Sequence, residues 1–215
     1  MQNRAIFLEN KIESIKNFIK HFLRFNLPKK IYYHSVDHTI NDVFLNSVRL
    51  AKSEKIDKYE LQLLKIAALF HDVGFVERYK NNEVIAVKKC SCFLPAFGLN
   101  KSEIQKIQQV IMATKVTEID GISIQIPRDD ILQKIICDAD LDNLGREDFF
   151  EKNMLLRKEL QEHKIKYSNK EWYQLELKFL QKHRYFTQSA IATRREGKLH
   201  NLEILKTKAA KMQAN

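Results

Sequence analysis

The stretch Leu61-Gln62-Leu63-Leu64-Lys65-Ile66-Ala67-Ala68-Leu69-Phe70-His71-Asp72 decides the architecture. A run this apolar, rich in good helix formers and free of Gly and Pro, predicts a helix buried on nearly every side. Asp57-Lys58-Tyr59-Glu60 in front of it has the form of a capping box and sets its start. Its end raises the question of function. Burying an imidazole and a carboxylate costs several kcal/mol unless both are paired or metal-bound. His71 and Asp72 therefore need partners, and a divalent cation is the most economical one.

The segments on either side repeat the helical period. Ile6 to about Phe25 carries Phe7, Ile12, Ile15, Phe18, Ile19 and Phe22 on one face, and Pro28 stops it. Ile31 to Ala51 reads as one helix through Val36, Ile40, Val43, Phe44 and Val48, with His34 and His38 four apart and so on a shared face. After Gly74 and a polar connection, a helix from about Glu83 to Leu94 ends at Pro95. Asn100-Lys101-Ser102-Glu103, a second capping-box pattern, opens another through Ile104, Ile107, Val110 and Ile111 to Thr114.

Lys115 to Pro127, with β-branched residues around Asp120-Gly121, predicts an irregular loop or small hairpin. From Asp129 or Asp130 the pattern Ile131, Leu132, Ile135, Ile136, Ala139 gives a second strongly buried helix, and Asp138 and Asp140 sit inside it. Further helices are expected around Phe149 to His163, around Glu171 to His183, and through Leu199, Leu202 and Leu205.

Composition agrees. The chain of 215 residues is long enough for a full core, and 5 Gly and 3 Pro are too few for the turns of an all-β protein. The expectation is an all-α fold: a single compact multi-helix bundle over 1–215, with a metal-site core at about 31–145 and a C-terminal helical extension at about 146–215. Cys90, Cys92 and Cys137 form no disulfide framework or zinc spacing, which predicts a reducing cytoplasm. No run of about 18 apolar residues occurs, so no membrane span is expected. The net charge of +10 is spread along the chain and mixed with Glu, the pattern of solvated helix faces. Nucleic acid is accordingly not expected as a partner.

Three periodic helices thus each carry His or Asp in an apolar setting: His34 and His38, then His71 and Asp72, then Asp138 and Asp140. Imidazole with carboxylate suits a hard or borderline divalent ion, whereas a thiolate set would suggest structural zinc. Two His and two Asp leave coordination positions open, the condition for activating a water nucleophile. Asp42, four residues after His38, is placed to orient its imidazole. Lys115, Arg146, Arg194 and Arg195 are the cations considered for holding phosphate.

These residues resemble the mark of the HD-domain superfamily of metal-dependent phosphohydrolases: a His on one helix, an adjacent His-Asp pair on a second, an Asp on a later one. The resemblance implies His38, His71, Asp72 and an aspartate of Cys137-Asp138-Ala139-Asp140 as metal ligands. Ala139-Asp140-Leu141-Asp142-Asn143 is similar to the family's Ala-Asp-Leu-x-Asn, which points to Asp140. Tyr33-His34-Ser35-Val36-Asp37-His38-Thr39-Ile40-Asn41-Asp42-Val43 is similar to a segment of the related cyclic-nucleotide phosphodiesterases, whose first histidine donates the proton to the leaving oxygen. By that match His34 joins Asp72 as a catalytic residue.

The region after about Arg146 looks like an uncharacterised bacterial branch of predicted HD hydrolases. Binuclear relatives add histidines between the His-Asp pair and the final aspartate. Here Asn82 and Thr114 stand roughly where those would be, which predicts one metal: Mn, Fe, Co, Ni, Zn or Mg. The implied activity is hydrolysis of a phosphate ester of a nucleotide or other small phosphorylated metabolite by metal-activated water. Lys115 and Arg146 are the first candidates for binding substrate, and a homodimer is compatible. A catalytically weak HD module that binds metal and nucleotide for regulation is the alternative.

Overall fold

The computed structural model describes residues 2–119 and 122–212. The fold is a helical bundle with one small hairpin. Helix α1 spans Gln2–Asn26 and buries Ala5, Leu8, Ile12, Ile15, Ile19 and Leu23 along a single stripe. Helical structure resumes at Val36, runs through a π-helical stretch at His38–Phe44, and continues as α2, Leu45–Ser53. Helix α3, Lys58–Phe70, is the centre of the bundle. Asp57 caps it by accepting from the amides of Tyr59 and Glu60 at 2.8 and 3.1 Å. Leu64, Ile66, Ala67, Ala68, Leu69 and Phe70 are all fully enclosed, and α1 packs along them. At about 1.5–3 kcal/mol for each large side chain removed from water, this burial fixes where the helix ends, and hence where His71 and Asp72 stand.

A tight turn at Val73–Val76 leads to α4, Asn82–Phe93. A side chain at Gly74 would collide with the Asn82 carbonyl, so only glycine lets α4 begin against the turn that follows Asp72. Helix α5, Lys101–Ala113, opens with a complete capping box between Asn100 and Glu103. Strands β1, Val116–Ile119, and β2, Ile122–Gln125, pair antiparallel with Val116 opposite Gln125. The expected loop or hairpin is a hairpin, and its Asp120-Gly121 lies outside the described residues. Helix α6, Ile131–Asp140, starts on an Asp130 cap.

The remaining helices are α7 (Phe149–Glu162), α8 (Asn169–Lys182) and α9 (Gln188–Lys211). They gather a smaller apolar cluster around Leu144, Phe149, Leu180 and Leu205. Gly197 on α9 meets Gly145 backbone to backbone, with no room for a side chain on either. No described helix is long and apolar enough to cross a membrane. All three cysteines are free, Cys90 and Cys137 buried and Cys92 exposed.

One expectation is corrected. His34 lies in an irregular stretch before the helix, so it does not share a helix face with His38. The cause is Glu159 on α7. One of its carboxylate oxygens accepts from the backbone amides of Tyr32, Tyr33 and His34, at 2.8, 2.8 and 3.2 Å. A buried carboxylate that takes three consecutive amides holds this stretch outside the helix.

Candidate metal centre

His71 follows the last residue of α3, and its Nδ1 hydrogen goes to the Ala68 carbonyl at 2.8 Å. That bond fixes the tautomer and turns the Nε2 lone pair inward. Nε2 lies 3.1 Å from Asp72 Oδ2 and 3.6 Å from Asp140 Oδ1. His38 approaches from the π-helical stretch, a feature that collects at functional sites. Its Nε2 is 3.1 Å from Asp140 Oδ1 and 3.6 Å from Asp72 Oδ2.

His38, His71 and Asp72, all buried, offer ligand atoms that lie within 4.8 Å of one another. Asp140 joins them through both imidazoles, while its second oxygen accepts from Gln125 Nε2 at 2.6 Å. The structure thus brings together His38, His71, Asp72 and Asp140.

These groups are unfinished as a purely protein arrangement. His71 Nε2 and Asp72 Oδ2 are buried and face each other at 3.1 Å, yet neither makes a hydrogen bond among the described residues, a condition native interiors rarely tolerate. Burial works against charge on His38. The neighbouring carboxylates of Asp140, Asp42 and Asp72 nevertheless lift its pKa to about 9. His71 is raised against burial by Asp72 and Asp140, and Asp140 is lowered against burial by both histidines. Two carboxylates facing two imidazoles demand positive charge at one point. A dication meets that demand, so the donor set fits a divalent ion.

Behind His38, Nδ1 lies 3.7 Å from Asp42 Oδ2. Asp42 in turn accepts from Arg146 at 2.6 Å and from Lys152 at 2.8 Å. Despite its partial burial, His38, Lys152 and Arg146 hold its carboxyl well below the usual range. Arg146 also pairs with Asp148, so its guanidinium is committed to carboxylates, where the sequence suggested a phosphate contact. Arg194 is similarly occupied, by Asp142 through two bonds of 2.8 Å. Lys115, directly after α5, is half-buried and makes no ion pair among the described residues.

His34 stands beside the cluster. Its ring is stacked on Phe75 at 4.2 Å and lies edge-on to His38 at 5.9 Å. Nδ1 donates to Glu159 Oε1 at 2.5 Å. Burial favours a neutral Glu159, yet His34 and the backbone amides keep its carboxyl below the ordinary range.

Asp138, the other aspartate of α6, points the opposite way. Its oxygens accept from the Phe186 amide at 2.8 Å and from the Thr187 amide and hydroxyl at 2.7 Å each, so it anchors the start of α9.

Sequence reading missed Glu159, Gln125 and Glu83. Glu83 is buried in the first turn of α4 with Oε2 unpartnered. Burial, then Asp72, push its carboxyl up while Lys115 opposes. The apolar helix start around Glu83 was a usable signal, since a buried Glu there needs a reason; Glu159 and Gln125 act across long sequence separations and gave none. Asn82 is buried with Oδ1 unpartnered, and the Thr114 hydroxyl donates to the Ile111 carbonyl at 2.9 Å.

No protein-family model matches the chain, and no curated protein does. Solved structures do. A predicted HD superfamily hydrolase from an uncultured Thermotogales bacterium shares 18% identity over 94% of this chain and 93% of that one, with a TM-score of 0.59. The chain has the HD-domain fold. The Lin1889 protein of Listeria innocua shares it at 19% identity over 97% of this chain and 98% of that one, TM-score 0.66. Bacillus subtilis YpgQ, solved in complex with ADP, shares it at 16% identity over 94% of each chain, TM-score 0.64. Within this HD-domain fold the His-His-Asp cluster lies where α3 ends and the π-helical stretch begins.

Proposed function

We propose that the chain is a metal-dependent phosphohydrolase that cleaves a phosphate ester of a nucleotide or another small phosphorylated metabolite, with water as the nucleophile. The observation that carries this reading is the orphaned pair His71 Nε2 and Asp72 Oδ2, buried inside a cluster of two histidines and two aspartates. The complex of YpgQ with ADP supports a phosphorylated ligand for the same fold.

In this reading His38, His71, Asp72 and Asp140 hold one divalent cation, and the mixed ligand set suits Mn, Fe, Co, Ni, Zn or Mg. When bound, the ion supplies Lewis acidity, lowering the pKa of a water from ~16 toward ~7. Asp42, 3.7 Å from His38 Nδ1, puts negative charge behind that ring, and Arg146 and Lys152 keep Asp42 ionised. Arg146 is thus a positioning residue. His34 gives a proton from Nε2 to the departing oxygen, while Glu159 holds Nδ1 and so fixes the orientation of the ring. Lys115 offers its ammonium to a phosphoryl oxygen.

The test is elemental analysis of the purified protein, followed by a panel of nucleotides and phosphate esters with Mn, Co, Ni or Mg supplied. Bound metal with phosphate release is expected. Bound metal without turnover across the panel would favour the regulatory module, and absence of metal from a protein refolded with each ion would sink both.

A further inference from the structure

A second feature lies away from the metal centre, between α8 and α9. There a cavity of about 480 Å³ is lined by Ile191, Leu199 and Leu202 together with Arg184, Arg195 and Lys198. No carboxylate is among its lining residues. None of the three cations makes an ion pair with an acid among the described residues. Among the described residues Arg184 donates only to the carbonyls of Gln181 and His183. Lys198 is buried, its ammonium donating to the His183 carbonyl at 2.5 Å and to His183 Nδ1 at 3.2 Å.

A buried ammonium without a counter-ion is costly, and burial together with Arg184 lowers the Lys198 pKa to about 8. Because the ammonium occupies His183 Nδ1, the hydrogen of that ring sits on Nε2, which is buried and has no acceptor. Positive charge from Arg184, Arg195 and Lys198 is therefore concentrated where an aliphatic wall, including the half-exposed Leu199, faces solvent.

We propose that this cavity is a second binding site, for a soluble organophosphate. Its phosphate oxygens would lie against Arg184, Arg195 and Lys198, and its ring or aliphatic portion against Ile191, Leu199 and Leu202. The chemistry matches at both ends: guanidinium and ammonium groups without counter-ions favour a polyanion, and the aliphatic wall favours a ligand with an apolar body over a bare inorganic ion. The site is distinct from the metal centre. Arg195 lines it, whereas the adjacent Arg194 turns to Asp142, two residues past Asp140. One helix thus borders both regions with different side chains.

The experiment is calorimetric titration of the full chain in EDTA with ADP as the probe, repeated with inorganic pyrophosphate. Wild type and His71→Ala are expected to bind one ADP with equal affinity, because the metal centre takes no part. Arg195→Glu, at an exposed and unpaired position, is expected to weaken ADP by about tenfold or more, as is Lys198→Met. Pyrophosphate is expected to bind more weakly than ADP. The proposal is overturned by no saturable binding at millimolar ADP, or by unchanged affinity in Arg195→Glu. It is equally overturned by loss in His71→Ala, which would assign the anion to the metal centre, or by pyrophosphate binding as tightly as ADP. Thermal melts of each variant confirm that the folded protein is being compared, and Arg195→Glu keeps the test decisive should Lys198→Met fail to fold.

Discussion

Asp138 and Asp140 stand two residues apart on α6 and live in opposite surroundings. Asp138 has three donors from Phe186 and Thr187, all within 2.8 Å, and its role ends there: it starts α9. Asp140 faces two histidines and a second carboxylate whose Oδ2 has no partner. The same residue type on the same helix is satisfied on one side and unfinished on the other. What distinguishes an anchor from a candidate ligand is the state of the neighbouring polar atoms, since both aspartates are largely or wholly buried.

The sharpest way to break this contrast is to remove one side of it. His71→Ala should abolish bound metal and reduce hydrolysis to background while the protein stays folded, read by elemental analysis and phosphate release. Metal retained at the wild-type level would mean that the orphaned atoms mark no ion site. Asp138→Ala should do the reverse, leaving metal content intact while stranding two amides and a hydroxyl, at a cost of roughly 3 kcal/mol in urea unfolding. Glu159→Gln weakens the support of His34 without touching the cluster. The expected result is a fall of about 10–100-fold in kcat, with unchanged metal content and a shifted pH profile; a profile identical to wild type would reduce Glu159 to a structural anchor.

The smallest effect concerns Glu176, a third kind of buried carboxylate. Burial pushes its pKa from 4.5 up to about 7, with only Asn153 opposing. Between those values the unfolded chain binds fewer protons than the folded one, so stability falls as pH rises through the window. Glu176→Gln should match wild type near pH 4.5 and exceed it near pH 8 by on the order of 1–2 kcal/mol, seen as a higher Tm. Equal melting at both pH values would show that Glu176 keeps its charge at no cost.

Much of this was legible because it is local. The apolar period of α3, the Asp57 cap and the capping box at Asn100 depend on residues within one or two turns, and the structure follows them. His71-Asp72 announced itself because an apolar helix cannot end in two polar groups without partners. What stayed hidden depends on distant chain. Whether Asp138 or Asp140 faces the histidines is settled by Thr187, 49 residues away. The commitment of Arg146 to Asp42 spans 104 positions. His34 has the spacing of a helix face, and a carboxylate on α7 holds it outside one.

That carboxylate has a consequence for how the chain is made. Glu159 lies 125 residues after His34. At about 5–20 residues per second, a translating ribosome needs roughly 6–25 s to add that distance. During that interval Tyr32, Tyr33 and His34 have no acceptor from α7, and the helical register that the sequence favours through Ile31 to Ala51 is open to them. The contacts that hold His34 in the finished protein therefore form only once α7 has been made and docks.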